Sequence, residues 1–418
     1  MSKLEELIKE FCPNGVDYKK LGELGKFYGG LSGKSKNDFT NGNEKFITYK
    51  NVYANPSLNL DIEDRVKINP GERQNTLQYG DIIFTGSSET PDECGFSSVI
   101  TTKTSEKLYL NSFCFFFRLD NQSILLPDFA KHLFRSESIR YQIGKTASGV
   151  TRYNVSKDKM KQVQIPLPAL PVQREIVRIL DSFTLYSAEL TAELTARRKQ
   201  YEFYRDKLLN FSEVSVKKYK LKEIADIYLG LTYTPQYVEH GVTFISSKNI
   251  ANDYLDLSDV KYISYEEYTK ATSNAKPKKG DILFTRVGSN LGHPTIVNIE
   301  KELCIFVSVG YLRVNPQIAI NKYIKHWMNT DSFWNQVNSK VGNAPKANLN
   351  SSWMREFEIC LPPIDVQERI VKVLDNFDAI CSDLGIGLPA EIEKRQKQYE
   401  YYRDKLLTFE EKNNNGEK

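Results

Sequence analysis

The sequence predicts a mixed α/β chain written twice: two similar globular segments separated by two long helices that pair as an antiparallel coiled coil. Three observations predict this. Two tail motifs return in the same order in the second half of the 418 residues. The tails carry apolar residues at heptad spacing. The segments before them hold short apolar runs of strand length, broken by polar loops.

The repeat is the strongest signal, because self-similarity at long range fixes architecture before any local propensity does. VQREIVRILDSF (172–183) returns as VQERIVKVLDNF (366–377), identical at seven of twelve positions. QYEFYRDKLLNF (200–211) returns as QYEYYRDKLLTF (398–409), identical at ten of twelve. Upstream, YGDIIFTGSS (79–88) answers KGDILFTRVGS (279–289), and FITYKNV (46–52) answers FISSKNI (244–250). The repeat implies an N-terminal globular domain over 1–168 and a helix over 169–214. A second domain follows over 215–362, a second helix over 363–412 and a disordered tail over 413–418.

The helical reading rests on the seam. From Ile176, alternate steps of four and three give Leu180, Phe183, Ser187, Leu190, Leu194, Arg197, Tyr201, Tyr204, Leu208 and Phe211; eight of these ten are apolar or aromatic. The second seam runs Ile370, Leu374, Phe377, Cys381, Leu384 and Leu388, then resumes out of phase at Ile392, Arg395, Tyr399, Tyr402, Leu406 and Phe409. Gly385, Gly387 and Pro389 sit at the phase change and predict a kink or short interruption. Prolines 166, 168 and 171 stand at the first helix start, and Pro362 and Pro363 at the second. Asp365 with Glu368 has capping-box spacing there. Neither stripe can be buried alone, and two near-identical seams in one chain favour pairing with each other over pairing between chains.

In the globular segments, Ile82–Thr85, Ser112–Leu119, Ile282–Thr285 and Ile305–Val309 read as strands. Asp128–Glu137 and Ile320–Met328 read as amphipathic helices.

Composition excludes several classes. Hydrophobic residues at 40% and aromatics at 12% suffice for real cores. A net charge of +4, from 57 basic against 53 acidic residues, neither demands nor forbids a nucleic acid. Cys12, Cys94, Cys114, Cys304, Cys360 and Cys381 are scattered without C-x2-C spacing, so they read as buried, reduced thiols rather than metal ligands, a zinc site being the weaker alternative. Lys3, Glu5, Glu6, Lys9 and Glu10 open the chain, unlike a secretory signal. The run Phe113–Phe117 is too short to span a bilayer.

Catalytic motifs fail inspection. GGLSGKS (29–35) misses a phosphate loop because Tyr28 stands where glycine is needed. There is no G-x-G-x-x-G after a strand, no Asn-Pro-Pro-aromatic box to hold a flipped base, and no nuclease carboxylate–lysine cluster. What the segments do hold is polar loops of the side-chain types that read nucleic acid. In the first, Lys34, Ser35, Lys36, Lys50, Asn51, Ser87, Ser88, Thr151, Arg152 and Asn154 are candidates. In the second, Thr232, Lys248, Asn249, Arg286, Ser289, Asn290, His293, Lys346 and Asn348 are candidates. Arg152/Asn154 and Lys346/Asn348 stand at corresponding places before each proline-rich helix start. Arginine suits guanine and asparagine suits adenine; a solvated loop is the plainer alternative at each position.

The motifs VQREIVRILDSF, QYEFYRDKLL and GDIIFT, with their second copies, resemble the specificity subunits of type I restriction-modification enzymes across essentially the whole chain. The resemblance implies two target recognition domains, each reading one half of a split, asymmetric double-stranded DNA sequence. It implies helices that act as a ruler and dock two methyltransferase subunits, with translocase-nuclease subunits joining them. It implies no catalysis and no cofactor on this chain, S-adenosylmethionine belonging to the methyltransferase partners, and a cytoplasmic location without a membrane. The stretch SAELTAELTARR (187–198) resembles the length-variable repeats of some members. The two arms differ: Phe183 to Tyr201 is 18 residues and Phe377 to Tyr399 is 22. Two rival classes are a single-chain methyltransferase or nuclease with its own reading domains, and a coiled-coil scaffold that does not touch DNA.

Overall fold

The computed structural model describes residues 2–211, 216–251, 253–288, 290–342, 348–383 and 385–412. The chain forms two compact units that are not consecutive in sequence. One comprises 1–189 with 393–418, the other 190–392. Each therefore takes one globular segment, the start of its own helix and a stretch of helix from the other repeat.

The first unit is centred on an antiparallel four-stranded sheet ordered Gly25–Gly29, Cys114–Leu119, Ile82–Thr85, Ser97–Val99. Ile82–Thr85 is wholly buried because both faces of the sheet are covered. Ile82 and Phe84 face a core built with helices Pro127–Leu133 and Leu170–Leu209. Ile83 faces a second core with Ile47, Val52 and Phe116. A smaller sheet pairs Glu44–Ile47 with Arg65–Val66 and, in parallel, with Leu108–Leu110.

The second unit repeats this plan. Its sheet runs Ala225–Leu229, Val309–Val314, Ile282–Thr285, Pro294–Ile296. Ile282 and Phe284 face the helix side, and Leu283 the opposite core. The expected strand Ile305–Val309 is instead the turn between Leu303–Ile305 and Val309–Val314. The apolar run continues through the turn because Phe306 is bridged to Leu231, so apolarity alone did not mark the reversal.

The GDI motif has a structural explanation. Gly80 and Gly280 turn the chain at φ +85° and +90°, a region side chains rarely adopt. Asp81 then accepts two hydrogen bonds from Arg118, at 2.7 and 2.6 Å. Asp281 does the same with Arg313, at 3.0 and 2.7 Å. A second shared lock is the glutamine of the repeated VQ. Gln173 accepts from Leu126 N–H at 2.9 Å and Gln367 from Ile320 N–H at 3.0 Å, and both are buried.

The first long helix is unbroken over Leu170–Leu209. The second is two helices, Ile364–Ser382 and Leu388–Leu406, with the glycines and the phase change at the break. Asp365 is not the cap: the helix begins at Ile364, and Asp365 lies in its first turn, accepting from Arg369 at 3.1 Å. The seams are paired within each unit. In the first, Arg395 lies over Tyr186, Phe183 stacks on Tyr402 at 5.4 Å, and Ile176 and Leu180 share a core with Tyr399, Leu406 and Phe409. Rising numbers on one helix meet falling numbers on the other, so the pair is antiparallel. In the second, Tyr204 stacks on Phe377 at 5.8 Å, and Tyr201 and Leu208 pack with Ile370 and Leu374. Leu190 is buried and Leu194 half-buried. Leu384 and the expected tail 413–418 lie outside the described residues.

All six cysteines are free, five buried and Cys360 partly exposed. Among the described residues no helix is long and apolar enough to cross a membrane, and no group of three or more His, Cys, Asp or Glu is placed to hold a metal ion.

Candidate nucleic-acid interface

In the first unit, strand Ile82–Thr85 delivers the chain into Gly86–Ser88, where it is caught from two sides. Gly86 N–H donates to Phe113 O at 2.7 Å, and Val155 N–H donates to Gly86 O at 2.9 Å. Ser87 and Ser88 pair with Asn154 and Tyr153 across an antiparallel ladder. A Cβ on Gly86 would lie 2.7 Å from Phe113 O, so only glycine fits this close approach. The result is a cleft of about 480 Å³ between this ladder and the helix Tyr49–Ala54.

Arg152 stands at the cleft, its Nε donating to Ser87 Oγ at 3.1 Å and its guanidinium 5.4 Å from the Phe113 ring. That contact uses one of the five donors that a guanidinium carries. Tyr49 Oη donates to Ser87 O at 2.8 Å. Tyr53 Oη and Ser88 Oγ both donate to Glu93, at 3.0 and 3.1 Å. Those bonds and one from Thr90 hold the Glu93 carboxyl below its ordinary range, so it is an anion at neutral pH.

Of the sequence-predicted residues, Ser87, Ser88, Thr151 and Arg152 line this one cleft. Asn154 is exposed beside it. Lys50 is exposed on the adjoining helix, while the Asn51 side chain holds a loop by donating to Asn59 O at 2.8 Å. Lys34, Ser35 and Lys36 are elsewhere in the unit. Lys34 is tied to Glu72 at 2.6 Å with its side chain only 6% exposed, Ser35 Oγ donates to Asp38 at 2.7 Å, and Lys36 is exposed. Sequence reading missed Tyr53, Glu93 and Phe113. Tyr49 and Tyr53, one helical turn apart and stacked at 6.3 Å, were the available signal.

The second unit builds the same frame with different side chains. Arg286 follows Thr285 where Gly86 follows Thr85, and its backbone makes the same contacts: Arg286 N–H donates to Ser308 O at 2.9 Å, and Leu349 N–H donates to Arg286 O at 2.8 Å. Its side chain is turned inward, 8% exposed. It donates to Val307 O at 2.9 Å, Leu349 O at 3.3 Å and Asn348 Oδ1 at 3.4 Å. Burial lowers its pKa, yet a guanidinium stays charged. Asn348 bridges to Val287, as Asn154 pairs with Ser87.

Asn290 Nδ2 donates to Ala251 O at 3.4 Å, and His293 Nε2 lies 3.5 Å from Asp253, which joins this loop to the 3-10 helix Ser247–Ile250. On that helix Lys248 is paired with Asp259. Asn249 is buried, accepting from Ser246 N–H at 3.0 Å and donating to Asp256 O and Asp259 O at 3.1 and 3.0 Å. Thr232 is exposed. Ser289 and Lys346 lie outside the described residues.

The model of the family "Type I restriction modification DNA specificity domain" matches this chain twice, over residues 13–197 and 213–394. A type I restriction enzyme specificity subunit of Escherichia coli is 35% identical over 265 residues, 61% of this chain and 65% of that one. The chain thus spans somewhat under two thirds of that relative's length. A Haemophilus influenzae chain named as a type I restriction enzyme specificity subunit is 32% identical over 286 residues, 63% of this chain and 68% of that one. A chain from a structure described as the basis of complex assembly and conformational transition of the type I R-M system has a TM-score of 0.64 at 17% identity, covering 94% of this chain and 98% of that chain. At that identity the likeness is one of fold.

Proposed function

Because this chain belongs to the family of type I restriction modification DNA specificity domains, we propose that it is the specificity subunit of a type I restriction-modification enzyme. It reads a split, asymmetric double-stranded DNA sequence and carries no catalysis. Two methyltransferase subunits dock on it and supply S-adenosylmethionine chemistry; translocase-nuclease subunits join that assembly in the cytoplasm.

One observation carries the reading. The two units hold one backbone frame and fill it differently: Gly86 and Ser87 in the first, Arg286 and Val287 in the second, each strand closed by an asparagine, Asn154 or Asn348. A protein reading two unlike half-sites needs a constant scaffold with variable tips. A scaffold that did not bind DNA would have no use for the variation. In the first cleft, the Glu93 anion repels phosphate and suits a base amino group, while Arg152 suits guanine O6 and N7.

A second duplication supports two like partners. Phe203 and Tyr401 hold the same position in the repeated tail and are 61% and 62% exposed. Lys207 and Lys405 lie beside them, each 5.9 Å from the ring. Exposed aromatics are residues that interfaces favour.

The test is methyl transfer from labelled S-adenosylmethionine to DNA. The expected result is no transfer by the purified chain alone and transfer once its methyltransferase subunit is added, with DNA affinity falling steeply as salt rises. Turnover by the chain alone would overturn the reading.

A further inference from the structure

The walls of the first unit's cleft are braced from behind. Arg135 donates to Val52 O and Tyr53 O at 3.2 and 3.0 Å, at the end of the helix Tyr49–Ala54. Arg140 donates to Gly95 O, Asp92 O and Cys94 O at 2.5, 2.6 and 2.7 Å, on the loop that carries Glu93. Both guanidinium groups lie over the Phe96 ring, at 5.2 and 4.5 Å, and Tyr53 packs on that ring at 4.9 Å. The two elements that meet at the Glu93 carboxyl are thus held to one another. Counted from His132 and His326, the second unit has Asn329 and Trp334 at these places, so the brace belongs to the first unit.

What the brace positions is an anion whose hydrogen-bond partners carry no charge. The Glu93 carboxyl accepts from the hydroxyls of Tyr53, Ser88 and Thr90. A carboxylate accepts at about four lone-pair sites, so three hydroxyls fix its place without filling it. Glu93 is half-buried and lines the cleft together with Arg152. A fixed anion beside DNA opposes phosphate in every sequence, and a hydrogen-bond donor on a base offsets that cost only where the sequence supplies it.

Resting on the reading above, we propose that Glu93 is a specificity-determining residue of the first unit: its carboxylate accepts a hydrogen bond from the N4 amino group of a cytosine in the major groove, and so fixes a C·G pair in one half-site. Cytosine presents only a donor in that groove, whereas adenine sets its N7 acceptor beside the N6 amino group. An acceptor-only side chain therefore meets adenine partly against its own charge. The second unit carries different chemistry at the matching place. Gly95 N–H donates to Thr85 O at 3.1 Å and Gly292 N–H donates to Thr285 O at 2.7 Å, and two residues before these glycines stand Glu93 and Asn290. A carboxamide both donates and accepts, so the second half-site is not bound to the same pair.

The test is methylation of a DNA library with randomised half-sites by the full chain and its methyltransferase subunit. Glu93→Gln should relax one position, a C·G pair for the parent, at least about tenfold, and leave the other half-site read as before. A relaxed A·T position, a uniform gain across all sequences, or no relaxed position would overturn the assignment. A second arm needs no variant to fold. Replacing that cytosine by 2-pyrimidinone, which lacks only the amino group, should slow methylation by the parent at least about tenfold. Glu93→Ala should show little further loss on the modified DNA, since both changes remove the same bond. Parent rates that survive the replacement at every cytosine of both half-sites, or losses that simply multiply, would overturn the assignment and leave the functional reading standing. A parent that methylates no DNA with its methyltransferase subunit would overturn both.

Discussion

The hydroxyl of Tyr399 lies 2.8 Å from Nδ1 of His132, a residue 267 positions earlier. His132 Nε2 in turn lies 2.8 Å from Asp181. The second unit repeats the chain with Tyr201, His326 and Asp375, at 2.9 Å and 2.9 Å. In both, the histidine comes from the globular segment, the aspartate from the helix that follows it, and the tyrosine from the other repeat's tail. The carboxylate can only accept, so the histidine donates through Nε2 and accepts a hydrogen bond from the tyrosine hydroxyl at Nδ1. Each unit is thus closed by a residue of the other repeat.

Removing that donor leaves a buried ring nitrogen without a partner. Tyr399→Phe should destabilise the first unit by about 1–3 kcal/mol, and Tyr201→Phe the second by a similar amount. Urea unfolding followed by a probe in each unit measures this. Equal, negligible costs would show that the hydroxyls are not part of the closure.

Burial is the main influence on His132 and lowers its pKa below the ordinary value, with the neighbouring Lys131 ammonium acting in the same direction against Asp181. The unfolded chain therefore binds a proton on this side chain near pH 6.5 that the folded chain refuses. Its contribution to stability is present above that pH and is lost as pH falls from about 7 toward the depressed folded pKa. His132→Gln should flatten the fall of the urea midpoint between about pH 7.5 and 5.5, by up to about 1.4 kcal/mol per pH unit. An unchanged slope would contradict a neutral buried histidine.

Arg152 and Arg286 should behave oppositely on truncation. Arg152→Ala should leave folding intact and cost about 1–3 kcal/mol in discrimination at one base pair of one half-site. A uniform loss across sequences would mark a phosphate contact instead. Arg286→Ala strips donors from Val307 O and Leu349 O, so it should lower the second unit's thermal stability and blunt the second half-site.

Gly86→Ala places a methyl 2.7 Å from Phe113 O and must displace the Ser87–Ser88 strand. DNA carrying a correct second half-site should be bound with the first half-site poorly discriminated. Unaltered discrimination would mean that this strand does not shape the reading surface.

The sequence made the architecture legible because the repeat is dense in residues that a fold must keep: the glycine and aspartate of GDI, the glutamine of VQ, the seam leucines. The Asp365 cap misread a helix that starts one residue earlier. The closing triads were harder. Their members are far apart, and a lone histidine carries no period. The pair Lys131-His132 answering Lys325-His326 was nonetheless visible. At the candidate interface, the structure brings Ser87, Ser88, Thr151 and Arg152 into one cleft, a grouping that the separate loops did not show in the sequence. Sequence reading could not tell exposed side chains from those spent internally, because Lys34 and Asn249 are polar loop residues whose partners are set by the fold.

The central claim, that each unit reads its own half-site, is tested most directly by exchange. Residues 20–165 would be replaced by the equivalent segment of a relative, and methylated adenines mapped by long-read sequencing after methylation with the methyltransferase subunit. The account predicts that one half of the methylated sequence changes and the other half stays as it was. Both halves changing together, or neither changing with activity intact, would contradict it.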